Sequence, residues 1–114
     1  MPTFTLKARD TRPILEVALK NPDGSAHDLT GSSEYHLHVR LSATTVFTRD
    51  MVPEGLLTAG LLRYTWLAAD WDELPIPTTK ETWLAMEYEV VGGTARLTFP
   101  NGGADILRIV KDVA

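Results

Sequence analysis

The sequence predicts an all-β protein, an antiparallel β-sandwich of about seven short strands, and three observations predict it. Apolar and polar residues alternate with period two through several short segments. Clusters of Gly, Pro, Asn and Asp separate those segments at short intervals. Only Ala69–Leu74 admits a helical turn, and Pro75 and Pro77 stop it from extending.

Thr3–Ala8 opens the series, and the Asp10-Thr11-Arg12-Pro13 break ends it. Leu15, Val17 and Leu19 then alternate with Glu16, Ala18 and Lys20, until Asn21-Pro22-Asp23-Gly24 closes a tight turn. His27-Asp28-Leu29-Thr30-Gly31 leads into Glu34–Leu41, the clearest single strand. There Tyr35, Leu37, Val39 and Leu41 take one face, and Glu34, His36, His38 and Arg40 take the other. Thr44–Arg49 reads as a shorter, more polar strand ended by Pro53-Glu54-Gly55. In Leu61–Leu67, Leu62, Tyr64 and Trp66 share a face, opposite Arg63 and Thr65. The stretch Thr82–Gly103 reads as a hairpin: Leu84, Met86, Tyr88 and Val90 face inward, and Ala85, Glu87 and Glu89 face outward. Gly92-Gly93 supplies the positive φ of the turn. Ala95, Leu97 and Phe99 resume the alternation up to a Phe-Pro-Asn-Gly corner, and Asp105–Val110 is the last strand. The core expected from these phases is Leu15, Val17, Leu19, Tyr35, Leu37, Val39, Leu62, Tyr64, Trp66, Leu84, Met86, Tyr88, Val90, Leu97 and Phe99.

A chain of 114 residues is expected to form one domain, residues 1–114, with no internal repeat or linker. Hydrophobic residues at 44% and charged residues at 23% are ordinary globular proportions, which excludes a disordered or low-complexity chain. Eleven basic against fifteen acidic residues leave a formal net charge of −4, without the concentrated positive charge that a phosphate backbone demands; no nucleic-acid partner is expected. The absence of cysteine excludes disulfides, thiolate metal sites and a cysteine nucleophile. MPTFTLKARD has no apolar signal region, and no stretch approaches the roughly 18 apolar residues of a membrane span, so neither secretion nor a membrane partner is expected.

The side chains that could carry chemistry are few. His36 and His38 share a strand face and could offer two ligands to zinc or copper, but two ligands are not a site; they read as a solvated strand face and no metal is expected. Asp70, Asp72 and Glu73 lack the ligand spacing of a calcium loop, and Asp70 reads as a cap for the turn that it opens. No GxSxG, phosphate-binding glycine loop or HExxH occurs, so no catalytic residue and no cofactor is expected. Among the tryptophans, Trp66 falls in phase with the core, and Trp71 is placed to plug one end of the sandwich. Trp83 falls out of phase with Leu84, Met86 and Tyr88, and shares the outer face with Ala85, Glu87 and Glu89. Trp83, Ala85 and Glu87 are therefore the candidate protein interface; the competing reading packs Trp83 beneath Pro75–Lys80.

Taken in order, the NPDG turn, the HDLTG step, EYHLHVRL, LLRYTW, AADWDEL, MEYEVVGGTARLTFPNGG and the last apolar strand carry a likeness. Asp28-Leu29-Thr30-Gly31, Arg63-Tyr64-Thr65-Trp66 and Thr98-Phe99-Pro100-Asn101-Gly102 are its most specific parts. From Asp10 to Val110 the chain resembles the immunoglobulin-like N-terminal domain family of phage baseplate upper proteins. The resemblance implies immunoglobulin-like connectivity and a non-enzymatic structural protein of a tailed-phage virion, made in the host bacterial cytoplasm. It would dock in many copies onto capsid, neck, tail or baseplate subunits. Baseplate members continue into coiled-coil and receptor-docking regions without counterpart in these residues, so an attachment module is expected rather than a whole host-recognition arm. The rival reading is a carbohydrate-binding sandwich, which would need exposed aromatic platforms, and Trp83 and Trp71 are the rings on offer.

Overall fold

The computed structural model describes residues 3–12, 14–41, 44–99 and 105–111. Nine strands lie among them: β1 (Thr3–Lys7), β2 (Leu15–Ala18), β3 (Glu34–Leu41), β4 (Thr44–Asp50), β5 (Val52–Pro53), β6 (Leu61–Tyr64), β7 (Glu81–Gly92), β8 (Ala95–Phe99) and β9 (Asp105–Val110). Single 3-10 turns form at Leu57–Ala59 and Ala68–Asp72. The larger sheet runs β1-β9-β7-β3-β4, with β8 also on β7, and the smaller runs β2-β6-β5. With β2, β6 and β5 as strands B, E and D, and β9, β7, β3 and β4 as G, F, C and C′, this is the strand order of an immunoglobulin-like sandwich.

Two features depart from the expected antiparallel sandwich of about seven strands. First, β1 pairs with β9 in parallel, Thr3 against Ile106 through Lys7 against Val110, so it lies in the larger sheet, and among the described residues one edge of β2 has no strand beside it. Second, the hairpin's return strand and the last strand pair one after the other with the same strand, β7. Tyr88 faces Phe99 in one ladder and Met86 faces Asp105 in the next, so β7 advances two residues while the return advances six. The extra segment contains the Pro-Asn-Gly corner, Pro100–Gly103, which lies outside the described residues. The return strand and the last strand expected from the sequence, β8 and β9, thus lie on the same side of β7.

The hairpin turn also sits one residue later than the glycine pair suggests. Gly92 is still in β7, opposite Ala95, and the loop is Gly93-Thr94, with Gly93 at φ +58°. Glycine at the first central position is the requirement of a II′ turn. Gly60 is constrained twice over: its φ is +67°, and a Cβ there would lie 2.6 Å from the His27 carbonyl oxygen.

The two sheets bury one continuous core. At its centre Trp66 stacks 6.1 Å from Phe4, lies 6.1 Å from Phe47 and meets Tyr64 edge-on at 5.1 Å. Trp66 lies beyond the end of β6, yet holds the phase of Leu62 and Tyr64 and is 1% exposed. Of the expected core, Val17 is only half-buried, and Leu97 is exposed at 46%. Leu97 does lie on the inward side, paired with Val90, but β8 is the edge of the sheet there and its burial begins only at Phe99. Alternation assigns a face; it does not say that anything covers it.

Two buried carboxylates hold tyrosines in this core. Tyr64 Oη donates to Asp70 Oδ2 at 2.5 Å, and Tyr88 Oη donates to Asp105 Oδ2 at 2.9 Å. Burial first, and the adjacent carboxylate after it, push both phenols well above the ordinary tyrosine value of 10.0. A raised folded-state value means that the unfolded chain releases these protons first. The stabilisation is therefore complete below pH 10 and is lost as pH rises beyond it. Stability measured by denaturant titration is expected to fall above pH 10 by up to about 1.4 kcal/mol per pH unit for each phenol. Tyr64→Phe should make that slope shallower.

Candidate docking face

The outer face of the larger sheet is built by the polar half of each alternating strand. On β7 it presents Glu81, Trp83, Ala85, Glu87 and Glu89; on β9, Ile106, Arg108 and Val110; on β3, Glu34, His36, His38 and Arg40. The register sets Trp83 against Arg108, Ala85 against Ile106 and also against Arg40, and Glu87 against His38.

Trp83 is exposed at 52%, the only one of the three tryptophans outside the core. It therefore lies open, as its phase requires, and is not packed beneath the proline-rich segment. The Arg108 guanidinium carbon stands 5.7 Å from the Trp83 ring centroid, within cation–π range, and Arg108 Nε also donates to the Glu81 carboxylate. Ala85 and Ile106 beside it are half-buried. Glu87 is held by the Arg40 guanidinium. The three expected interface residues are thus contiguous along one face, with Trp83 the exposed member and Ala85 and Glu87 set lower.

Around this centre the charges cancel in pairs across strands. Glu89 accepts from Arg96 at 2.9 Å and lies 3.2 Å from His38 Nε2. Hydrogen bonds from Arg96, then His38, hold its carboxyl below the usual range. His38 Nδ1 lies 3.1 Å from Thr48 Oγ1. His36 has Asp50 at 2.9 Å on one ring nitrogen and Glu34 at 3.2 Å on the other. The histidine face is therefore not simply solvated: both rings are half-buried within a ladder of polar contacts. Among the described residues no group of three His, Asp or Glu side chains could hold a metal ion.

Trp71 is buried, 8% exposed, with its indole N–H donating to the Asp10 carbonyl at 3.0 Å. Asp70 does cap its turn, accepting the Leu67 N–H at 2.8 Å. The larger role was not visible in the sequence: its carboxylate also takes Tyr64 Oη from β6 and Arg49 Nε from β4 at 3.0 Å, and Arg49 reaches on to Glu73. Only the fold brings those three elements together.

The arrangement is a charge-compensated sheet face on which the Trp83 ring is left half uncovered. It can bury a ring: covering the open half of Trp83 would contribute about 2–3 kcal/mol. No protein-family model matches the chain, and no curated protein matches it.

Proposed function

We propose that this protein is a non-enzymatic docking module, a structural component of a tailed-phage particle that seats a rigid sandwich on repeated subunits of the head, neck, tail or baseplate. The exposure of Trp83 on the outer face, near the start of β7, carries the docking part of this reading. Trp83 would be the buried anchor, with Ala85 and Ile106 the low ground around it. The paired charges of Arg108, Glu81, Arg40 and Glu87 would form the polar rim. The phage assignment draws its support from the sequence likeness to baseplate upper-protein domains. Many copies on one lattice would make a modest individual contact sufficient. A carbohydrate site would need a platform of several open rings, and with Trp66 and Trp71 buried Trp83 stands as the single open tryptophan.

The test is Trp83→Ala, followed in two quantities. Its Tm is expected to stay within a few degrees of the parent, because half of the ring is already in water, while its copy number in purified particles falls sharply. Full incorporation, or a large loss of Tm, would remove Trp83 from the interface.

A further inference from the structure

The open edge of β2 has consequences away from the Trp83 face. Leu19 N–H donates to the Gly60 carbonyl at 2.8 Å, continuing the β2–β6 ladder in which Val17 faces Leu62 and Leu15 faces Tyr64. In an antiparallel pair the bonded residues alternate, so the N–H and C=O groups of Glu16 and Ala18 point away from β6, toward the open edge. Among the described residues nothing pairs with them there. Beside that edge, between the two sheets, run two adjoining cavities of about 310 and 180 Å3. Val17, Tyr88 and Asp105 line both; Phe4 and Met86 extend the first, and Phe99 extends the second.

Asp105 is only 9% exposed, accepts from Tyr88 Oη at 2.9 Å, and lines both cavities, so its carboxylate stands at their junction. A cationic side chain entering the groove would have this carboxylate as its partner. Glu16 lines the first cavity and Lys20 the second, and Asp105 is the acidic residue common to both.

We infer that this groove is an acceptor site for an extended, basic segment of a partner protein, added to β2 as a further strand. The segment would bond the outward backbone groups of Glu16 and Ala18, place an apolar side chain over Val17 and Tyr88, and bring a lysine or arginine to Asp105. The shortness of β2, four residues, restricts the site to a brief strand and protects the free protein from sheet-edge aggregation. None of these residues belongs to the Trp83 face, so this site and the docking face stand or fall separately.

The probe is a short blocked peptide alternating valine and threonine around one central lysine, titrated into the full nitrogen-15-labelled chain. The amide signals of Glu16 and Ala18 are expected to shift and their hydrogen exchange to slow. A peptide with glutamate in place of the lysine should bind about tenfold more weakly, a difference of ~1.4 kcal/mol. Asp105→Asn should erase that discrimination. Ala18→Pro removes an outward N–H without removing a β2–β6 bond, so it should abolish binding and leave the fold intact. Absence of any shift at Glu16 and Ala18, equal binding of the two peptides, or undiminished binding to Ala18→Pro overturns the proposal. So does self-association of the peptide-free chain that Ala18→Pro abolishes, which would assign the groove to a second copy.

Discussion

Trp66→Ala is expected to destabilise the protein by about 3–5 kcal/mol, the cost of deleting a large aromatic from a packed core. The ring contacts Phe4 from the larger sheet's first strand, Phe47 from β4 and Tyr64 from β6, so its loss opens a void shared by both sheets. A small domain holds only about 5–15 kcal/mol in total, and a loss of this size takes much of it. The indole N–H is buried and has no hydrogen-bond partner among the described residues. Trp66→Phe therefore discards an unsatisfied donor along with the lost volume, and should cost distinctly less than the alanine change. Chemical denaturation of the two variants checks both statements; a near-silent Trp66→Ala would contradict the assignment of Trp66 as the junction of the two sheets.

Asp70→Ala is expected to be comparably damaging, at about 3–5 kcal/mol, because it strands buried partners rather than merely removing a contact. Asp70 is 1% exposed and receives the Tyr64 hydroxyl, the Leu67 amide and Arg49 Nε. Without it a phenol and a backbone N–H lose their acceptor in the interior, and Arg49 keeps its partners at the surface, Glu73 and the Thr48 carbonyl. Glu73 is about half exposed, so Glu73→Ala should cost no more than about 1 kcal/mol. The contrast is the informative part. Equal effects of the two substitutions in denaturant titrations would mean that the ion pair at the surface, not the buried carboxylate, ties the β4 end to the turn.

These two residues also mark where the sequence is legible and where it is not. Trp66 could be placed because its neighbours Leu62 and Tyr64 set a phase, and a phase persists even where the strand's ladder stops. The same logic recovers β3, β7 and β9 with nearly their full bounds, and puts Trp83 on the open face. Asp70 could be read only as a cap, since Leu67 is its one partner within a turn of chain, while Arg49 arrives from another strand. Period-two alternation carries no information on which strand pairs with which, or in what direction. The parallel β1–β9 ladder was illegible for that reason, and with it the open edge of β2. Leu97 shows the remaining limit: an inward-pointing residue on an edge strand still meets solvent.

Solvent accessibility of the three tryptophans, measured by hydroxyl-radical footprinting of the free protein and of assembled particles, tests the docking face most directly. In the free protein Trp83 should be oxidised readily, while Trp66 and Trp71 react little, as their burial requires. In the particle the account predicts that Trp83 loses most of its reactivity and the other two do not change. Trp83 equally reactive in both states would contradict it.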